Sequence, residues 1–241
     1  MGINKDKEQK MDYRHELKYI VTEKEMALAK GRIHGLVSLD VHAEETGMYR
    51  IRSLYFDDYW NNCYLENETG TDPREKFRIR IYNGSKEQIH LELKQKEHGM
   101  TRKLSCRLTE EQCRTLMAGR MLPVNGNDPP LLQKLNLLMR TRFLRPRVIV
   151  EYDRIPFAER LGNTRITLDR NIASSDALLR FLDPELPRRP IMAAGQHILE
   201  VKYDEFLPDY IYQNLQLNTL RQTAFSKYYL CRRYSLKGNL K

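Results

Sequence analysis

Lys76-Phe-Arg-Ile-Arg-Ile-Tyr82, then Asn83-Gly84, then Gln88-Ile-His-Leu-Glu-Leu-Lys-Gln95 is the most legible stretch of the chain. Charged and apolar side chains alternate with period two on both sides of an Asn-Gly pair. That is the pattern of two antiparallel strands joined through a tight turn. Arg78 and Arg80 share one face, and Phe77, Ile79 and Ile81 share the other. In the second strand His90, Glu92 and Lys94 oppose Ile89, Leu91 and Leu93.

The same alternation recurs outward in both directions. Glu16 and Lys18 share a face in a strand over residues 13–21. A further strand covers residues 49–56. Residues 100–108 place Lys103, Ser105 and Arg107 opposite Leu104, Cys106 and Leu108. Residues 147–154 carry Tyr152 and Arg154 on one side, residues 164–169 carry Arg165, Thr167 and Asp169, and residues 197–203 carry Glu200 and Lys202. Helices are expected between them. Thr22 with Glu25 and Thr109 with Gln112 are capping boxes, and Asp128-Pro-Pro opens a helix through residues 131–139. A Pro-rich connection over residues 183–190 precedes the last strand, and residues 208–220 and 226–234 read as helical. Strand–hairpin–strand order dominates, so the expected class is antiparallel α+β. Residues 1–11 read as a flexible tail, and residues 12–241 as one domain.

Composition sets the outer limits. The chain has 241 residues and a formal net charge of +9, with 41 Lys+Arg against 32 Asp+Glu. Its 41% hydrophobic residues suffice for one sizeable core and argue against disorder. No apolar run nears the roughly 20 residues needed to span a bilayer, and no secretory signal opens the chain. The four cysteines (Cys63, Cys106, Cys113, Cys231) form no CxxC pair, so a reducing cytoplasm is the default location. The basic excess points to an anionic partner. P-loop, dinucleotide-binding, nucleophile-elbow and zinc-helix motifs are all missing, and the six histidines are scattered.

Two arrangements give the strand pattern equally well. One is a sheet with a single wet face. The other is a closed or nearly closed antiparallel β-barrel of about eight strands, with charged faces lining a tunnel and helices packed outside. Arginine in preference to lysine at Arg78 and Arg80 favours the tunnel, because guanidinium forks match phosphate oxygens in pairs.

Arg14-His-Glu-Leu-Lys-Tyr19, Ser53-Leu-Tyr-Phe-Asp-Asp58, Lys76-Phe-Arg-Ile-Arg80, Leu91-Glu-Leu-Lys94, Thr164-Arg-Ile-Thr-Leu-Asp169, Leu199-Glu-Val-Lys202 and Phe225-Ser-Lys-Tyr228 follow one another in order. That series resembles the VTC domain, the polyphosphate polymerase domain of the vacuolar transporter chaperone complex, in its stand-alone bacterial form. The likeness runs from about residue 13 to residue 234. It implies the triphosphate tunnel fold shared with CYTH proteins, and transfer of the ATP γ-phosphate onto a polyphosphate or pyrophosphate acceptor with Mn²⁺ or Mg²⁺.

Carried over position by position, the resemblance implies that Arg78, Arg80, Lys94, Arg154 and Arg165 clamp the reacting phosphates. It further implies that Lys18, Lys103, Tyr152, Ser226 and Lys227 contact phosphate or nucleotide, and that Glu200 holds the metal. Arg102 or Ser105 are alternatives to Lys103. Glu16 and Glu92 read as partners of the basic residues rather than as ligands, and Tyr55, Phe56 and Tyr228 as core. The family's extra lysine before Ser226 is replaced here by Thr223-Ala224. The chain also lacks that complex's SPX and membrane-spanning parts, so a membrane partner would be encoded separately.

Three other readings share these residues. Water in place of the phosphate acceptor makes the same tunnel a triphosphate hydrolase. A module that only binds polyphosphate needs no turnover. Nucleic-acid binding is not expected, because the basic residues are dispersed over many strands; Arg140, Arg142, Arg145 and Arg147 form the best local patch.

Overall fold

The computed structural model describes residues 13–43 and 47–238, so the tail expected over residues 1–11 lies outside the described residues. In chain order the elements are β1 (His15–Thr22), α1 (Glu23–Ile33), β2 (Ser38–Leu39), β3 (Tyr49–Asp57), α2 (Asn62–Glu68), β4 (Arg74–Tyr82), β5 (Ile89–Glu97) and β6 (Met100–Leu108). They continue with α3 (Glu110–Met117), α4 (Pro130–Thr141), β7 (Arg145–Glu159), β8 (Thr164–Ser175), β9 (Arg189–Pro190), β10 (Gln196–Tyr203), α5 (Asp209–Asn214) and α6 (Lys227–Gly238). Both capping boxes form as expected, Thr22 with Glu25 and Thr109 with Gln112.

Eight strands hydrogen-bond in the order β1-β10-β8-β7-β3-β4-β5-β6, every neighbour antiparallel. The fold is therefore α+β, and the sheet curls into a half-barrel. The sequence leads us to expect a closed or nearly closed barrel; the sheet is not closed and forms a half-barrel. Among the described residues, the edges of β1 and β6 meet at one bridge, where Arg14 and Thr101 exchange backbone bonds of 2.8 and 2.9 Å. Beyond that bridge the edges are joined through side chains. The Glu16 carboxylate accepts from Lys94 Nζ at 2.6 Å and from Thr101 Oγ1 at 3.2 Å, reaching across a gap that backbone bonds do not fill.

The apolar strand faces point outward, each half covered by helices. Leu54, Phe77, Ile79, Ile81, Leu91 and Leu93 pack under Leu116 of α3 and Leu135 and Met139 of α4. Ile155, Phe157, Ile166, Leu168, Leu199 and Val201 pack under Met26 and Ile33 of α1 and Ile211 of α5.

The expectation that all helices lie outside fails for α6. Its Tyr228 and Cys231 pack with Tyr55, Val148, Val150, Tyr152, Ile172 and Ile198, all of which project from the concave side. These positions share strand faces with Arg78, Arg154, Asp169 or Glu200. The charged lining is thus interrupted by an apolar floor on which α6 rests, and the concave side is not one uninterrupted polar channel.

Candidate functional site

Register fixes what the concave side presents. Lys18 lies opposite Glu200, Glu200 opposite Thr167, Lys202 opposite Arg165, and Arg154 opposite Asp169. Across β4 and β5, Arg78 lies opposite Glu92 and Lys76 opposite Lys94, which in turn faces Lys103 on β6. Parity alone sends all of these side chains to the same face. The middle of that face carries nine cations (Lys18, Lys76, Arg78, Arg80, Lys94, Lys103, Arg154, Lys202, Lys227) against four carboxylates (Glu16, Glu92, Asp169, Glu200).

The charges gather around the carboxylates in three groups. Glu92, 1% exposed, accepts from Arg78 at 2.7 Å and Lys103 at 3.0 Å, with Arg80 at 3.7 Å. Asp169, fully buried, takes a two-pronged bond from Arg154 at 2.6 and 2.7 Å and an ion pair from Lys227 at 2.7 Å. Glu16 and Glu200 form a chain with lysines: Lys94 to Glu16 at 2.6 Å, Lys18 to Glu16 at 2.9 Å, Lys18 to Glu200 at 4.0 Å, and Lys202 to Glu200 at 2.6 Å. Aromatic rings link the groups. Tyr55 Oη accepts from Arg78 at 2.9 Å, and the Tyr152 ring lies 5.3 Å from the Arg154 guanidinium and 4.8 Å from the Lys227 ammonium.

Burial alone would raise the carboxyl pKa values, but the cations outweigh it. Lys202 and Lys18 hold Glu200 far below the usual carboxylate range, and Lys18 and Lys94 do the same for Glu16. Arg80 and Arg78 lower Glu92, and Arg154 and Lys227 lower Asp169. The four acids are therefore ionised, yet they neutralise fewer than half of the nine cations. Lys94 and Lys76 are lowered, while Lys18 and Lys227 are raised by their acidic partners. Desolvation brings Lys94 down to about 7 despite Glu16, with Lys18 and Lys202 adding repulsion, and brings Lys76 down to about 8. A face carrying uncompensated positive charge on half-buried side chains is stabilised by a multivalent anion.

The placement of individual residues sharpens the expectations. Arg78, Arg80, Lys94, Arg154, Lys18, Tyr152, Lys227 and Glu200 all lie on this face. Arg165 stands at its margin, paired with Asp40 at 2.8 Å and with Tyr49 Oη at 3.1 Å. Between the alternatives on β6, Lys103 is on the concave face, whereas Arg102 points away to Gln95 Oε1 at 2.7 Å and to the Tyr13 ring. Ser226 Oγ accepts the Tyr229 amide at 3.2 Å, as a cap for α6. Lys76 and Lys202 were missed as site residues, although each lies two positions from a chosen one on the same strand. Asp169 was read only as sharing a face with Arg165.

The oxygen donors suit a hard divalent cation in part. Among the described residues no three His, Cys, Asp or Glu side chains cluster as a complete ligand set. Thr167 Oγ1 is buried without a hydrogen-bond partner and stands opposite Glu200 in the register. Glu200, Glu16 and that hydroxyl offer oxygen ligands only, and Mg²⁺ and its relatives commonly complete such partial sets with phosphate oxygens. Both carboxylates are ion-paired, Glu16 with Lys94 and Lys18 and Glu200 with Lys202, so they would hold an ion in exchange for those lysines.

The patch considered for nucleic acid does not present a single surface. Arg145 donates to the Met139 and Leu144 carbonyls and Arg147 to the Asp58 carbonyl, leaving Arg140 and Arg142 exposed.

Residues 13–235 match the VTC domain family. The chain belongs to the VTC domain family. Solved structures share its fold at low identity. One is a protein from Hippeastrum named as an adenylyl cyclase and described as having a dominant triphosphatase activity; it is 12% identical with a TM-score of 0.51, covering 93% of this chain and 96% of that one. A protein from Bacillus halodurans named as an adenylate cyclase is 14% identical, with a TM-score of 0.48 over 86% and 88% of the two chains. The PH1819 protein of Pyrococcus horikoshii OT3 is 13% identical, with a TM-score of 0.45 over 95% and 100%. No functionally curated protein matches the chain by sequence. Among the described residues of this VTC domain, no helix is long and apolar enough to cross a membrane.

Proposed function

We propose that this VTC domain transfers the γ-phosphate of ATP onto a polyphosphate or pyrophosphate acceptor held along the concave face. The observation that carries the reading is nine cations against four carboxylates on one concave surface of mostly half-buried side chains. Arg78 and Arg80 on β4, Arg154 on β7 and Arg165 on β8 present guanidinium forks, while Lys18, Lys94, Lys103 and Lys227 supply point charges between them. Phosphoryl transfer asks little covalent chemistry of the protein; alignment and charge neutralisation lower the barrier. A terminal acceptor oxygen attacks the γ-phosphorus, the bond to the bridging oxygen breaks, and ADP leaves with that oxygen. A divalent ion, Mn²⁺ or Mg²⁺, held by Glu200 with Glu16 and Thr167 nearby, would supply further neutralisation of the phosphate oxygens.

The deciding experiment is incubation with ATP and Mn²⁺, with products resolved on a gel. Long phosphate chains support the polymerase. Free phosphate alone supports a second reading, triphosphate hydrolysis, which is favoured by the fold shared with the Hippeastrum protein and by a site that needs no residue of its own as nucleophile. Binding of tripolyphosphate with neither product would leave a phosphate-binding module. The absence of all three would overturn the assignment.

A further inference from the structure

Two of the sequence segments quoted above, Ser53-Leu-Tyr-Phe-Asp-Asp58 and Phe225-Ser-Lys-Tyr228, contain residues that make no contribution to the phosphate contacts, and these residues meet. Asp57 closes β3 and is fully buried, and Tyr228 in the first turn of α6 is 2% exposed. The Tyr228 hydroxyl donates to Asp57 Oδ2, which also accepts the Tyr64 amide at 3.2 Å. Asp57 Oδ1 accepts the amides of Asp58 and Cys63, both at 2.9 Å. No cation pairs with Asp57 among the described residues; its oxygens are filled by these neutral donors, from the start of α2 on one side and the start of α6 on the other. A buried carboxylate is expensive unless its oxygens are filled, so the pair resists separation.

The first turn of α6 also bears directly on the cationic face. Lys227, the residue before Tyr228, reaches Asp169 and the Tyr152 ring. The Phe225 carbonyl accepts from Lys18 Nζ at 3.1 Å. The Tyr228 ring itself packs 5.2 Å from Tyr55 and lies 5.0 Å from the Lys76 ammonium.

We propose that Asp57 and Tyr228 form a latch that holds the first turn of α6 against the concave face and thereby positions Lys227 and Lys18 for a phosphate chain. Both are positioning residues, since neither is placed to touch phosphate. The latch rests on the proposed function for its consequence, although not for its existence.

The test is a double-mutant cycle on the full chain, with inorganic tripolyphosphate as probe, affinity read by titration calorimetry at fixed salt, and hydrogen exchange followed over residues 227–236. Tyr228→Phe keeps the ring and removes the hydroxyl. It is expected to weaken tripolyphosphate binding roughly fivefold to tenfold in the wild-type background. In a Lys227→Met background the same change should cost distinctly less, about twofold, because one of the two groups it positions is gone and only the Lys18 contact to the Phe225 carbonyl remains. Exchange in α6 should quicken in Tyr228→Phe and in Asp57→Asn.

Equal losses in the two backgrounds, or no loss, would overturn the latch in favour of generic stabilisation, as would a Tyr228→Phe chain that fails to fold. Should the wild type not bind tripolyphosphate at all, the functional reading falls. The latch is then judged on exchange alone, and unchanged exchange in α6 overturns it.

Discussion

At the scale of single residues, the concave face is a set of ionisation states held away from their ordinary values by one another. Lys94 sits at about 7 against an ordinary 10.5, so at pH 8 it is mostly neutral in the free protein. A polyanion beside it favours the ammonium, and binding at that pH must take up protons. Tripolyphosphate titrations at pH 8 in buffers of different ionisation heat should show that uptake, and Lys94→Met should reduce it. The same depression has a stability consequence. Between about 7 and 10.5 the unfolded chain binds more protons at this lysine than the native one does, so its contribution makes stability rise with pH across that window. Asp169 is the opposite case, a carboxylate shared by Arg154 and Lys227. Asp169→Ala strands two buried cations and should destabilise the fold by about 3–5 kcal/mol, visible as a large drop in melting temperature. Glu200→Ala removes a carboxylate from a face with surplus positive charge. Turnover should fall by at least tenfold while tripolyphosphate affinity holds or rises, a split that kinetics and calorimetry together would reveal.

At the scale of elements, period-two alternation made most of this face readable in advance. Arg78 and Arg80, or Glu92 and Lys94, need only strand geometry to share a side, and the resemblance in order of seven short segments supplied the rest. What escaped has local causes. The strand read as residues 147–154 runs on to Glu159, because Pro156, which cannot donate, sits opposite Thr167 where the other neighbour is only the two-residue β2. Helix α2 was missed because Asn61 before it is left-handed at φ 60° and caps nothing; its first amides are taken instead by the Asp57 and Asp58 carboxylates at the end of β3, a pairing no local pattern announces. The position of α6 could not be read at all: its charged and apolar residues suit an outer face as well as the concave one, and only the apolar side chains of β7, β8 and β10 beneath it decide. Gly162, at the turn into β8, also has its reason in packing. Its φ is +60°, and a Cβ there would collide with the Phe206 carbonyl oxygen. Gly162→Ala should therefore lower the melting temperature by several degrees, more than Thr22→Ala, which loses only a capping bond worth about 1 kcal/mol.

At the scale of the whole molecule, the α+β class and the strand inventory followed from alternation, whereas closure of the sheet did not. Alternation fixes which face a residue occupies and carries no information on whether the first and last strands complete a ring. Folding leaves like charges facing one another, so the ligand-free protein is short of stability that an anion supplies. Tripolyphosphate at about 100 times its dissociation constant should add about 2.7 kcal/mol and raise the melting temperature accordingly, an effect that shrinks as salt screens the attraction. The clasp between Arg14 and Thr101 bears on how a polymer gets in and out. A wall interrupted along one line does not oblige its guest to thread from a terminus, so admission can be sideways. A ring-shaped phosphate such as trimetaphosphate, which has no terminus to offer, should then displace tripolyphosphate in a competition titration, and covalently stapling the two edges together should shut out the ring before it shuts out the linear chain.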